Sequence, residues 1–154
     1  MGSIRPVGQD DGESAASLLQ RFFVEEGFAT PPDLIQSRLA LMLADPTSAV
    51  FLAWEGEVAT GVATVTTSVG IELGRSAELD DLYVLPEARG QGGAQGLIAA
   101  VRTWCQTHEV TTLSIVVTPE GQDAHDLVAF YRKRGFRDTG RRILSVELTT
   151  PSGA

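Results

Sequence analysis

Apolar positions near the start of the chain recur every three to four residues. Ala15, Leu18, Leu19, Phe22 and Phe23 fall on one face of a helix running to about Glu26, with Asp10 or Asp11 as its cap and Gly27 as its stop. Residues 4–7 before it read as a short strand. A second helix is predicted after Thr30, with Pro31 or Pro32 in its first turn. Leu34, Ile35, Leu39 and Met42 are its apolar residues, and Asp45-Pro46 closes it.

The period then shortens. Residues 49–54 (AVFLAW) and 58–68 (VATGVATVTTS) flank the turn EGE, the pattern of a β-hairpin, and Gly61 inside it marks a bulge or a close backbone approach. Residues 69–76 read as a loop with some strand character, and 77–85 (AELDDLYVL) as the next strand. After a run of glycines, Leu97, Ile98, Val101, Trp104 and Cys105 share one helical face. Residues 111–118 form a buried strand, and 123–135 a helix with Asp123 as N-cap and Gly135 as C-cap. Phe136 onward, including 141–148 (RRILSVEL), supplies one or two final strands. The order β-α-α-β-β-β-α-β-α-β-β is that of an α/β fold, a mixed central sheet flanked by helices. It is expected to be one domain over residues 1–154, with the termini, about 1–3 and 150–154, frayed.

Composition narrows the function classes. The 154 residues are 43% hydrophobic and 21% charged, as in a soluble globular protein, and the single cysteine, Cys105, allows no internal disulfide. No secretory h-region or membrane-length apolar run occurs, so the expected location is cytoplasmic. The net charge of −8 is uneven: residues 1–88 carry 14 acidic and 4 basic side chains, residues 89–154 carry 6 and 8. The acidic half argues against nucleic acid as a partner and favours a cationic small molecule, unless it serves solubility alone.

The chemistry concentrates in LYVLPEARGQGGAQGLI. Gly90, Gly92, Gly93 and Gly96 lie within seven residues at a helix start, where each glycine weakens the helix by up to ~1 kcal/mol. Bare amides at a helix N-terminus, beside Arg89, form a ready site for a diphosphate. The spacing fits neither a P-loop nor a dinucleotide fingerprint. The alternative is a tight strand-to-helix turn with no ligand.

This stretch resembles the acyl-CoA motif of the GNAT superfamily of N-acetyltransferases. Arg89-Gly90-Gln91-Gly92-Gly93-Ala94 matches its Arg/Gln-x-x-Gly-x-Gly/Ala pattern, and FYRKRGF at 130–136 resembles the family's second motif. The resemblance covers about residues 77–140. It implies acetyl-CoA as co-substrate, with Leu82, Tyr83 and Val84 on the strand that pairs with pantetheine. Arg89, Gly90, Gln91, Gly92, Gly93 and Ala94 would hold the diphosphate, and Tyr131 would contact the sulfur. Two departures stand out. Ala124-His125-Asp126 occupies the region where many members carry an asparagine, and Gly93 replaces a commoner larger residue.

Acetyl transfer to an amine needs an acid or base, an oxyanion contact and a tolerated thiolate. On strict alternation Glu78 and Asp80 share one strand face, and Leu79, Asp81 and Tyr83 the other. By the resemblance Asp81 is the preferred amine-binding acid and base and Glu78 the second choice; Asp80 and Asp81 are the acceptor contacts. Three acids in four residues repel, so one pKa is expected to rise. Each acid alone has a plain alternative, facing solvent or pairing with arginine. The amide around Tyr83 or Val84 is the oxyanion contact. Tyr131 is the candidate general acid, although a phenol near pKa 10 matches a thiol near 8.5 poorly, which favours a hydrogen bond over full transfer. His108 and His125 are too isolated for a metal site, and no metal is expected. The acceptor reading is a primary amine of an aminoglycoside or similar polycation, 3-N favoured over 6′-N from the resemblance of DLYV. Protein or peptide amines are the runner-up. A non-catalytic acyl-CoA-binding module is the alternative from another class. ILSVEL is a candidate edge strand for a homodimer.

Overall fold

The computed structural model describes residues 2–150, in two compact units, Met1–Thr118 and Pro119–Ala154. The first holds a five-stranded sheet in the order β1-β2-β3-β4-β5, formed by β1 (Gly2–Pro6), β2 (Ser48–Glu55), β3 (Val58–Gly70), β4 (Gly74–Val84) and β5 (Thr112–Ile115). All neighbours are antiparallel except β4 and β5. That parallel pair needs a crossover, which α3 (Gly93–Thr107) provides.

Helices α1 (Gly12–Glu26) and α2 (Pro32–Ala44) cover one sheet face. Ala15, Leu18, Leu19, Ile35 and Leu39 pack there against Val50, Leu52, Trp54, Val62, Tyr83 and Leu85. The other face belongs to α3, whose Leu97, Ile98, Val101 and Cys105 are buried as its spacing predicts. Trp54 is also buried, with Arg5 4.3 Å above its ring.

Gly61 lies beside an irregularity in the β2–β3 ladder and faces α3 at close range. An added Cβ would stand 3.1 Å from the Tyr83 carbonyl oxygen, 3.1 Å from Leu97 Cδ1 and 3.2 Å from Val84 Cγ2. The carbonyl belongs to the sheet and cannot swing away. Gly61→Ala is therefore expected to cost about 1–3 kcal/mol, a fall in Tm of about 3–10 °C in a thermal melt. An unchanged Tm would mean that the sheet relaxes there freely.

Several expectations are corrected. Gly2 and Ser3 are not frayed but pair with Glu55 and Trp54 in β1; Met1 and residues 151–154 lie outside the described residues. Asp11 does not cap α1 with its side chain, because its own backbone is already helical; its carboxylate accepts the Gly8 N–H at 2.9 Å instead. The segment 69–76 is the tip of a long hairpin, since Ser68↔Ser76, Val69↔Arg75 and Gly70↔Gly74 continue the ladder.

The second unit departs furthest. The expected helix 123–135 is two helices, α4 (Pro119–His125) and α5 (Leu127–Arg132), and Asp123 lies inside α4 rather than capping it. Asp126 breaks the run with φ of 47°, a conformation aspartate tolerates. The Gln122 side chain spans the break, donating to Asp126 Oδ1 and accepting the Val128 N–H, both at 2.9 Å. No strand forms in 136–148; Ile143, Leu144, Val146 and Leu148 are exposed, so the alternation there finds no apolar surface to close on within its unit.

Candidate active site

The site is built on β4. Its ladder with β3 continues to Val84, whereas its pairing with β5 ends at Leu79↔Ile115. Among the described residues, 80–84 therefore have no strand on the β5 side. Leu85 N–H donates to Thr60 O at 2.8 Å, so the two-residue alternation turns the Tyr83 backbone groups toward β3. Those of Leu82 and Val84 face the vacated side. Of the two amides considered for an oxyanion contact, Val84 has the open direction.

Beyond β4 the chain makes a short 3₁₀ turn, Pro86–Ala88, and reaches the glycines. Gly90 and Gly92 have φ of 81° and 86°, which side-chain-bearing residues avoid. A Cβ at either position would meet nothing within 4 Å, so both face open space. The first helical bond of α3 runs from Gly96 N–H to Gly92 O at 2.9 Å, and no side chain caps the helix. The amides of Gly93 and Ala94 thus open a bare N-terminus beside the left-handed turn of Gly90 and Gly92, with Gln91 exposed between them.

Arg89 does not hang free over this turn. Its Nε donates to Val84 O at 3.0 Å and its Nη2 to Glu25 Oε1 at 2.7 Å. The other oxygen of Glu25 accepts the Tyr83 hydroxyl at 2.7 Å. Burial first, then the Glu25 carboxylate, push the Tyr83 phenol up to about 12, so it is a fixed donor.

The acids are arranged differently from strict alternation. Thr64 pairs with Asp81 but Val65 pairs with Leu79, so Asp80 is an extra residue in a β-bulge. The bulge shifts the phase. Tyr83, Asp81 and Glu78 oppose Val62, Thr64 and Thr66, alternate residues of β3, and so share the α1–α2 face; Leu79 faces the other way with Val65. Asp80 joins them, accepting a hydrogen bond from Thr66 Oγ1 at 2.8 Å. All three acids stand on one face, and the expectation that Leu79 and Asp81 share a side is corrected.

Asp81 accepts a hydrogen bond from the fully buried Thr64 hydroxyl at 2.5 Å. Burial raises its carboxyl above the usual range, against the lowering effect of Thr64. Asp80 is pushed up to about 7, by desolvation first and then by its hydrogen bond with Glu78. The residue remains exposed overall, so solvent screening tempers the effect on stability. Its sign is clear. A carboxyl whose pKa rises on folding binds its proton more tightly in the native state. It therefore costs stability progressively as pH rises from about 4 to about 7. Asp80→Asn, which can keep the Thr66 contact, is expected to raise Tm above wild type at pH 8, the gap closing toward pH 5. A gap independent of pH in melts across that range would contradict the shift.

Tyr131 belongs to the second unit. It is buried between Phe130 and Phe136, with ring centroids at 5.0 and 5.4 Å, and burial pushes its phenol up to about 12. That strengthens the case for a hydrogen-bonding rather than an acid role. Glu25, Thr64 and Thr66 had no place in the sequence reading. The threonines are legible afterwards as the polar positions of VTT opposite the acids. Glu25 lies 58 and 64 residues from Tyr83 and Arg89 and carries no local signal.

A model of the acetyltransferase (GNAT) family matches residues 13–136, across both units. No curated protein sequence matches the chain. Among solved structures, an integron cassette protein from the mobile metagenome of Cole Harbour Salt Marsh is similar at 26% identity and a TM-score of 0.81, over 98% of this chain and 93% of that one. The aminoglycoside acetyltransferase AAC(6')-Iy, solved with a bisubstrate analogue of CoA and acetylneamine, is similar at 23% identity and a TM-score of 0.81, over 96% and 99%. A predicted acetyltransferase from Clostridium acetobutylicum, solved with acetyl-CoA, is similar at 19% identity and a TM-score of 0.76, over 95% and 96%.

Proposed function

Because this chain belongs to the acetyltransferase (GNAT) family, we propose that it moves the acetyl group of acetyl-CoA to a primary amine of a small polycationic acceptor, best an aminoglycoside. The observation that carries this reading is one strand that combines three elements. β4 offers an unpaired backbone edge at 80–84, leads into a bare-amide turn at Gly90–Ala94, and bears Glu78, Asp80 and Asp81 on one face.

The residues fit the co-substrate. The turn suits a diphosphate, Leu82 offers its backbone groups to the pantetheine amides, and the N–H of Val84, whose carbonyl already accepts from Arg89, suits a developing oxyanion. Asp81 takes a proton from the acceptor ammonium, freeing its lone pair. The amine nitrogen then bonds to the acetyl carbon, the carbon–sulfur bond breaks, the surplus proton on nitrogen ends on the departing sulfur, and Tyr131 hydrogen-bonds that sulfur as it leaves. Glu78 is the second candidate for the base. Asp80, with a pKa near neutrality, holds a second ammonium of the acceptor beside Asp81. The two CoA-bound similar structures support acetyl-CoA, and the AAC(6')-Iy complex supports an aminoglycoside acceptor over a peptide. That similarity is at 23% identity and the acetylated position does not follow from it, so 6′-N against the favoured 3-N is decided on the product. A cytoplasmic setting and a homodimer belong to the same reading.

The test is thiol release from acetyl-CoA with panels of aminoglycosides, polyamines and peptides, followed by NMR of the product. Turnover is expected with an aminoglycoside. Turnover with peptides alone would establish the protein-amine reading. Cofactor binding with no thiol release for any amine would establish a non-catalytic module, which the missing asparagine at 124–126 favours.

A further inference from the structure

Helix α1 grips the segment that leads into the glycine turn at two points one helical turn apart. Arg21 Nη1 reaches Glu87 at 3.2 Å and Glu25 reaches Arg89 at 2.7 Å, an i,i+4 pair of α1 with opposite charges meeting opposite charges. The Arg21 pair is half exposed and weak. The Glu25 pair is different. Glu25 divides its carboxylate between Arg89 and Tyr83, and Arg89 is held a second time by the Val84 carbonyl. A guanidinium has five N–H donors in a rigid plane. Two are used here, and among the described residues the other three have no protein partner. Arg89 is thus locked in orientation with part of its fork still open.

We propose that Glu25 is a positioning residue for the co-substrate. It acts through Arg89, holding the guanidinium in place so that its open donors meet the diphosphate without first being ordered. This rests on the acetyl-CoA reading above. The competing effect is that Glu25 also offsets the charge of Arg89. Preorganisation outweighs it, because the Val84 carbonyl holds only Nε and the Glu25 carboxylate fixes the far end of a long side chain that otherwise loses much rotamer freedom on ordering, whereas the half-exposed charge is screened by solvent.

The test compares acetyl-CoA with S-acetylpantetheine, which has the thioester but no diphosphate. Glu25→Ala is expected to raise the Kd for acetyl-CoA about tenfold and to leave the Kd for S-acetylpantetheine unchanged. Glu25→Gln, which keeps one acceptor oxygen of the two and replaces the other with a donor, is expected to lie between wild type and Glu25→Ala. On an Arg89→Ala background Glu25→Ala is expected to have no further effect. Equal weakening of both thioesters would make Glu25 a merely structural residue, and unchanged or tighter acetyl-CoA binding would overturn the proposal. If Glu25→Ala does not fold, Glu25→Gln carries the same comparison. Wild-type chain that fails to bind acetyl-CoA sinks the functional reading beneath; wild type that binds while Glu25→Ala binds equally sinks Glu25 alone.

Discussion

Asp81→Asn is expected to lower kcat about a hundredfold, with acetyl-CoA affinity unchanged. The amide is nearly the same size, and its oxygen can still accept the Thr64 hydrogen bond, so the fold should hold. What is lost is the charge that attracts an ammonium and the site that takes its proton. The pH profile separates this from simple misplacement. Burial holds the Asp81 carboxyl above the usual range, so wild-type kcat/KM should rise with pH as that group ionises. In the variant that limb should flatten. Steady-state kinetics from pH 5 to pH 9 would show it. A variant with wild-type kcat would move the role to Glu78, where Glu78→Gln becomes the comparison.

Gly92→Val is expected to weaken acetyl-CoA binding about a hundredfold. Each hydrogen bond from an amide to a charged oxygen contributes about 1.5–3 kcal/mol, so losing one or two accounts for the effect. Two mechanisms combine. The φ of 86° is one that valine resists, which tilts the neighbouring N–H groups away. The side chain would also project into the open space above the turn, where no protein atom lies within 4 Å of the added Cβ. That openness predicts a separation: no clash with neighbouring atoms, a Tm loss of a few degrees set by the backbone strain alone, and a large loss of affinity. A collapsed Tm with preserved affinity per folded molecule would mean that the glycine serves the turn alone.

Much of this was legible beforehand, and the misses have physical causes. The elements of the first unit follow periodicity because each has one clear apolar face; Leu97, Ile98, Val101 and Cys105 are buried as their spacing requires. The glycine turn was legible because nothing but backbone demand explains glycines at a helix start. The face assignment of the acids failed at one residue. A bulge at Asp80 inverts the phase of a strand, and no local pattern distinguishes it from regular alternation. The helix at 123–135 failed because Asp123 resembles an N-cap, while the real break at Asp126 is closed by Gln122, a side chain with no helix-ending signature. RRILSVEL alternates like a strand, but alternation needs a surface to face, and its apolar residues are exposed. Glu25 was invisible because Tyr83 and Arg89 are remote from it in the chain and adjacent only in the fold.

The central claim is that the backbone amides of residues 90–94 grip the diphosphate of coenzyme A. The most direct measurement is an amide-resolved NMR titration of the isotopically labelled chain with CoA. The account predicts that the resonances of Gly90, Gly92, Gly93 and Ala94 shift most and move downfield together, as donors to an anion do. Saturable binding whose largest shifts lie elsewhere, with these four amides unmoved, would contradict it.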